Sequence, residues 1–433
     1  MATVEDQAIK RPFGFWMATA LVVGGMIGSG IFVLPAQLAP YGSTGIAAWI
    51  AGIVGALLIA LVLARLTAAL PQATGAVAIC ADALGPLPGV LIGWGYWVGV
   101  WSANAVISLT AIRYLGVFWP SLTASAWATA LWATALLWLL TALNLRGAKA
   151  AGRFQLVTTL LKLLPLVAVG LILVMIALPG GPGFSRQTHT PFAWSQLTPA
   201  VTLAFFALVG FESAALAAER VKNPGRNVVR ATLAGLALTA LLYLIVSTGI
   251  AFALPEKIVA AAPAPVALFV ETFAGHTAAM VVAAFAAIAA IGCLNGWVLI
   301  QGELPLGMSR AGLFPRWVGR VNGRDVPVGA LAAASMLASV LVLSNASGST
   351  AALLDFMLRL TTAATLWLYG GLCLSALKLG IMRPIAVLGL AFSAWVLWGS
   401  GIEAAGLSIA LMLTALPLYY LRPRVFLAEQ PAE

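Results

Sequence analysis

Charge is what this sequence has least of: Asp, Glu, Lys and Arg together make up 8% of its 433 residues. Soluble domains carry about 25%, so a water-exposed globular fold is excluded. Histidine is reduced to His189 and His276, and cysteine to Cys80, Cys293 and Cys373, with no CxxC or HExxH spacing. Scattered through apolar surroundings, the cysteines support neither a disulfide framework nor a metal site and read as packing residues. A GxSxG elbow and paired intramembrane aspartates are also missing, and both histidines fall in or near an outer loop, so no catalytic set for an intramembrane enzyme assembles. The continuous polar lining or rings of like residues that a channel needs are absent too.

Apolar residues fill the space, at 62% of the chain. They come in runs of the length, about 20 residues, that crosses a bilayer core. Gly, Pro and charge punctuate them into twelve expected spans at 14–38, 44–66, 86–115, 125–145, 151–178, 195–218, 228–254, 272–300, 328–344, 351–376, 381–399 and 402–421. The expectation is an all-α polytopic membrane protein whose main ligand surface, apart from any cargo, is the lipid bilayer. The polar head to Pro12 and the tail from Arg422 are expected to be poorly ordered. The first run is longer than a signal-peptide core and lacks a small-residue cleavage pattern after it, so it should remain as the first span.

A formal net charge of +10 raises the question of nucleic acid. Placement answers it. With a cytoplasmic N-terminus and twelve spans, 18 of the 23 Lys and Arg fall in cytoplasmic segments; only Arg113, Arg186 and Lys257 fall outside, and Lys162 and Arg359 lie within spans. This is the positive-inside pattern of a cell-membrane protein with both termini in the cytoplasm, and it leaves no excess for nucleic acid.

Two spans are interrupted by glycine. The first reads Gly24-Gly25-Met26-Ile27-Gly28-Ser29-Gly30-Ile31-Phe32, and the sixth reads Phe205-Phe206-Ala207-Leu208-Val209-Gly210-Phe211-Glu212-Ser213. A lone GxG in a membrane helix commonly serves close packing. Matched breaks about five spans apart point instead to a transporter built from inverted repeats, with cargo bound at the bilayer midplane. Unwound backbone at that depth frees N–H and C=O groups that lipid cannot satisfy but a ligand or a wet cavity can.

These residues resemble the amino acid, polyamine and organocation (APC) superfamily, and within it the basic amino acid/polyamine branch typified by arginine/agmatine antiporters. The resemblance runs along nearly the whole chain. It rests on Met26-Ile27-Gly28-Ser29-Gly30-Ile31-Phe32-Val33-Leu34-Pro35, on Val209-Gly210-Phe211-Glu212-Ser213 leading into Val221-Lys222-Asn223-Pro224-Gly225-Arg226-Asn227, on Gly296-Trp297, and on Gly312-Leu313-Phe314-Pro315. It implies two inverted five-helix repeats, here 14–178 and 195–376, with discontinuous helices 1 and 6. Two trailing helices over 381–421 and cytoplasmic ends at 1–13 and 422–433 complete the chain. It also implies no metal or redox cofactor, and secondary active transport of amino acids by alternating access. Sodium-independent exchange and proton-coupled transport both stay open.

By the same resemblance the cargo's carboxylate meets Ser29, Gly30 and Ile31, with Gly25 and Ile27 alongside. The freed N–H groups and positive dipole end of a half-helix make the same prediction independently. The cargo's amino group is expected at the carbonyls of Phe206, Ala207 and Val209. Trp297 is expected to stack on the cargo's side chain, Tyr96 and Asn104 to line the pocket or to join helices, and Phe206 to gate it; Gly99 and Ala103 complete the lining. Glu212, an acid deep in a span, is assigned to coupling, with helix-joining hydrogen bonds as the alternative. Lys162 departs from the branch's small apolar residue. Its ammonium suits the space that sodium fills in sodium-coupled relatives, and snorkelling is the alternative. Gly25 departs as well, replacing an asparagine that holds arginine. Asp355 and Arg359, four apart, are expected to neutralise each other near the outer end of helix 10. The cargo is thus read as an amino acid in general, with a polyamine or cationic amino acid as the narrower alternative. A homodimer is among the assemblies open to the chain, since contacts made in lipid leave little trace in one sequence.

Overall fold

The computed structural model describes residues 14–70, 75–146, 158, 161–179, 190–216, 221–324, 326–344, 346 and 350–422. Every regular element among them is helical. In chain order these are α1 (Phe15–Met26), α2 (Ser29–Leu38), α3 (Ser43–Ala69), α4 (Ala76–Leu84), α5 (Pro86–Leu115), α6 (Ala126–Asn144), α7 (Leu163–Ala177), α8 (Trp194–Leu208) and α9 (Ser213–Leu216). They continue as α10 (Pro224–Ala253), α11 (Glu256–Ala261), α12 (Pro265–Arg310), α13 (Val328–Ser344), α14 (Thr350–Lys378), α15 (Arg383–Gly399), α16 (Gly401–Leu413) and α17 (Leu416–Tyr420). Eight stretches are long and apolar enough to cross a bilayer, and α7, α8, α13 and α15 are shorter apolar helices beside them. The chain is a polytopic, all-helical membrane protein. The head to residue 13, the tail from 423, His189 and the approach to α7 lie outside the described residues.

Burial sorts the helices into an inner and an outer set. The apolar stretch of α5 is 89% buried and that of α14 is 78% buried, whereas that of α6 is only 28% buried. The outer faces are themselves apolar: Leu131 and Leu139 on α6, Leu171 on α7 and Val340 on α13 are all exposed. Water would penalise such faces and lipid does not. Inside, α5 lies against α12 and α14, and glycine lets the backbones approach. A Cβ on Gly99 would stand 2.6 Å from the Thr365 methyl of α14. Gly99 is therefore a close packing contact between α5 and α14.

Both expected breaks are present. Between α1 and α2, Ile27 leaves the helical region at ψ 97 and Gly28 turns further at φ −148, ψ −131. Between α8 and α9, Val209 is extended at ψ 138 and Gly210 has φ +115, which favours glycine. Two segments read as loops are partly helical. Gly75 and Gly85, both at φ +109, bracket α4, and Pro265 opens α12 well before the expected start of the eighth span. α12 bends at Gly275 (φ +82, ψ 171) and then runs unbroken to Arg310, ten residues beyond the expected end at 300. Proline's fixed φ suits a first helical turn, so helical order begins at Pro265, ahead of the apolar run.

Candidate substrate site

The C-terminal end of α1 would normally leave four carbonyls without partners. Here each has a donor. Val23 O accepts from the Ile27 N–H at 2.8 Å. Gly24 O accepts from Lys162 Nζ at 2.7 Å, Gly25 O from Trp297 Nε1 at 3.2 Å, and Met26 O from the Tyr243 hydroxyl at 2.6 Å. The three side-chain donors come from the start of α7, from α12 and from α10. The break is thus held open by three elements, and the negative end of α1 is closed off on all of them. Lys162 is fully buried. Its ammonium sits on a half-helix carbonyl, where a cation is favoured, so it does not reach for the membrane surface.

Across the gap, α2 starts at Ser29, and the first-turn N–H groups of Ser29, Gly30 and Ile31 have no acceptor within their own helix. Anions are favoured at such an end. Ser29 is 2% exposed and Ile27 and Ile31 are fully buried, so the structure encloses this end.

The sixth-span break is organised by Glu212. Its Oε1 accepts from the Tyr96 hydroxyl of α5 at 2.6 Å, and its Oε2 accepts from the Tyr369 hydroxyl of α14 at 2.9 Å and from the Gly210 N–H at 3.0 Å. Phe211 stacks on Tyr369, centroids 5.0 Å apart. A carboxylate accepting three donors in a dry interior ties α5, α14 and the unwound strand together. Tyr96, expected to line the pocket or to join helices, donates here to Glu212.

The two breaks touch. A Cβ on Gly30 would stand 2.5 Å from the Ala207 Cβ and 2.7 Å from its Cα. A Cβ on Gly210 would stand 2.8 Å from the Gly25 carbonyl carbon. Phe206 and Val209 are buried beside them at 6% and 7% exposure. Ser29, Gly30 and Ile31 at the start of α2 therefore lie beside the end of α8, with Ala207 in direct contact with Gly30 and Val209 two residues on. Trp297 has an additional task, since its indole N–H is committed to Gly25 O; Gly25 meets Trp297 through its backbone.

Asn104 stands apart from the Glu212 group. Its Nδ2 donates to Gln301 Oε1 at 2.6 Å, one turn beyond Trp297 on α12. Gln301 Nε2 donates to Ser335 Oγ at 2.7 Å and to Leu331 O at 3.3 Å, both on α13. Near the start of α14, Asp355 and Arg359 pair through two contacts of 2.6 and 3.2 Å, as the four-residue spacing predicts. Arg359 also donates to Gly399 O at 3.1 Å, capping α15.

Tyr243, Tyr369 and Gln301 were not singled out from the sequence. Each is a polar side chain within an otherwise apolar span, and such residues near a broken helix are the available signal. Their partners, main-chain carbonyls and a residue more than a hundred positions away, are not visible in sequence.

The chain matches the amino acid permease family over residues 13–425. It is 32% identical over 368 residues to the cadaverine/lysine antiporter of Escherichia coli K12, covering 82% of this chain and 80% of the relative. A Bacillus subtilis 168 protein, provisionally named an arginine/ornithine antiporter, is 32% identical over 386 residues, covering 82% and 81%. An Escherichia coli K12 protein with the same provisional name is 28% identical over 436 residues, covering 95% and 92%. The chain belongs to the amino acid permease family and is a membrane transporter rather than an enzyme.

Proposed function

We propose that the chain exchanges cationic amino acids or the corresponding amines across the cell membrane by sodium-independent antiport. The observation that carries the reading is the pairing of a capped α1 end with an α2 start whose first N–H groups have no acceptor in their own helix, packed at Gly30 against Ala207 in the last turn of α8. That arrangement accepts a carboxylate on one side and an ammonium on the other, which is the head of an amino acid. The cargoes named for the relatives support a cationic side chain, and the face of Trp297 is suited to one by cation–π attraction.

In this reading the carboxylate binds the N–H groups of Ser29, Gly30 and Ile31, and the amino group binds carbonyls of Phe206, Ala207 and Val209. Lys162 supplies at Gly24 O the positive charge that a sodium ion would otherwise supply, which is why no sodium is needed. Glu212 couples opening to the two tyrosines: moving the sixth-span break must break or exchange its hydrogen bonds to Tyr96 and Tyr369. Phe206 closes over the cargo. The finer architecture belongs to the same proposal: twelve spans, inverted repeats over 14–178 and 195–376, two trailing helices, and both termini in the cytoplasm. It is supported by the five-span separation of the breaks and by the 18-to-3 distribution of basic residues.

The test is exchange in liposomes reconstituted with the purified chain. Vesicles loaded with unlabelled lysine or cadaverine should take up labelled lysine saturably and without sodium, much faster than empty vesicles. Equal uptake by loaded and empty vesicles would remove the antiport reading.

A further inference from the structure

We propose that the loop between α12 and α13 is a docking surface for an anionic phospholipid, with Arg316, Arg320 and Arg324 meeting the headgroup phosphate and the outer face of α13 meeting the acyl chains. The surface is separate from the broken helices and does not depend on which cargo they carry.

The loop is folded onto the protein at both ends. Leu313 and Phe314 turn inward, and the fully buried Phe314 ring lies 5.6 Å from that of Trp94 on α5. Their N–H groups both donate to Met308 O, at 2.9 and 3.3 Å, and Ser309 Oγ donates to Pro315 O at 3.1 Å. Farther on, Asn322 Oδ1 accepts from the N–H groups of Arg324 and Val326 at 2.9 and 3.1 Å, and the Asn322 N–H donates to Val326 O at 3.0 Å. With both ends pinned, the stretch between them is held outward: Arg316, Trp317, Arg320, Val321 and Arg324 are all exposed. A backbone ordered in advance has less freedom to lose when a ligand arrives.

The ion pairs among the described residues, His276 with Glu271 and Arg359 with Asp355, lie elsewhere, so no described carboxylate neutralises the three guanidinium groups. Asp325, the acid next in sequence, lies outside the described residues. Positive charge alone would suit a nucleic acid or a free phosphate equally. Here Trp317, 56% exposed, and Val321 set apolar surface between the arginines, and tryptophan favours the headgroup level of a bilayer. The apolar surface continues, since Val328, the first residue of α13, and then Met336, Leu337 and Val340 are exposed. Acyl chains lying along α13 bring a headgroup to this loop. There each basic residue attracts anionic lipid, and each guanidinium can hold a phosphate through two parallel hydrogen bonds.

The test reads bound lipid rather than transport, by native mass spectrometry of the purified full chain released from micelles that contain equal amounts of phosphatidylglycerol and phosphatidylcholine. The wild type should retain phosphatidylglycerol in preference. Arg316→Gln, Arg320→Gln and Arg324→Gln should each lower that preference about fivefold. The triple variant Arg316→Lys, Arg320→Lys, Arg324→Lys should keep most of it, because the attraction follows charge; a loss as large as that of the triple glutamine variant would mark damage to the loop and overturn the inference. Lys378→Gln removes an exposed charge at the end of α14 and should leave the preference unchanged, whereas an equal fall would make net charge the cause and overturn it too. Equal retention of the two lipids by the wild type, or replacement of the lipid by added inorganic phosphate, has the same consequence. None of these outcomes bears on antiport, which the exchange assay decides separately.

Discussion

Replacing Gly210 with alanine tests whether the two broken helices work as one unit. The residue has φ +115, a region that costs an L side chain about 1–2 kcal/mol. Its added Cβ would also meet the Gly25 carbonyl carbon at 2.8 Å and the Gly25 oxygen and Met26 nitrogen at 3.0 Å. All three are backbone atoms, and Lys162, Trp297 and Tyr243 hold that backbone in place, so no side chain can rotate aside. Overpacking of this kind adds about 1–3 kcal/mol. Together the two effects come to about 3 kcal/mol, roughly 150-fold in the population of this arrangement. Gly275→Ala is the matched control: its φ is +82 but nothing lies within 4 Å of the added carbon, so it carries the backbone cost alone. Thermal unfolding in detergent should shift for both variants, more for Gly210→Ala, while lysine exchange should collapse only for Gly210→Ala. Wild-type exchange by Gly210→Ala, or equal losses in the two variants, would refute the claim that contact between the breaks sets the site.

Tyr243→Phe leaves Met26 O buried without its donor and should cost about 1–3 kcal/mol of stability, read as a lower unfolding midpoint with lysine exchange slowed. Trp297→Leu should raise the KM for lysine about 2- to 30-fold, from a cation–π contribution of about 0.5–2 kcal/mol. Trp297→Phe keeps a ring and loses only the Gly25 hydrogen bond, so it should fall between the wild type and the leucine variant, and a leucine variant with unaltered KM would return the residue to packing. Lys162→Met uncaps Gly24 O and removes the fixed cation, and should abolish exchange whether or not sodium is present; a wild type that strictly requires sodium would refute the role assigned to Lys162.

The sequence by itself determined that the chain lies in lipid, where its helices are and where two of them break. Those properties are local: an apolar run of membrane length, a Gly-Ser-Gly or Val-Gly-Phe interruption, and basic residues between runs each act on the segment that contains them. The expected limits of the third span, 86–115, coincide with α5 and those of the ninth, 328–344, with α13. Element ends were less legible where helix continued past the apolar run, as in α12, or formed between runs, as in α4 and α11.

The tertiary structure decided what the polar side chains do. Glu212 was conspicuous as a buried acid, but its three donors come from α5, from α14 and from its own break. Lys162 stood out as a buried base, but only packing sets its ammonium on Gly24 O. Trp297 and Gly25 were each read toward the cargo, and the fold joins them to each other as well. A hydrogen bond between residues more than a hundred positions apart leaves no periodicity behind. It exists because burial removes water as a competitor, and burial depends on which helices the whole chain brings together.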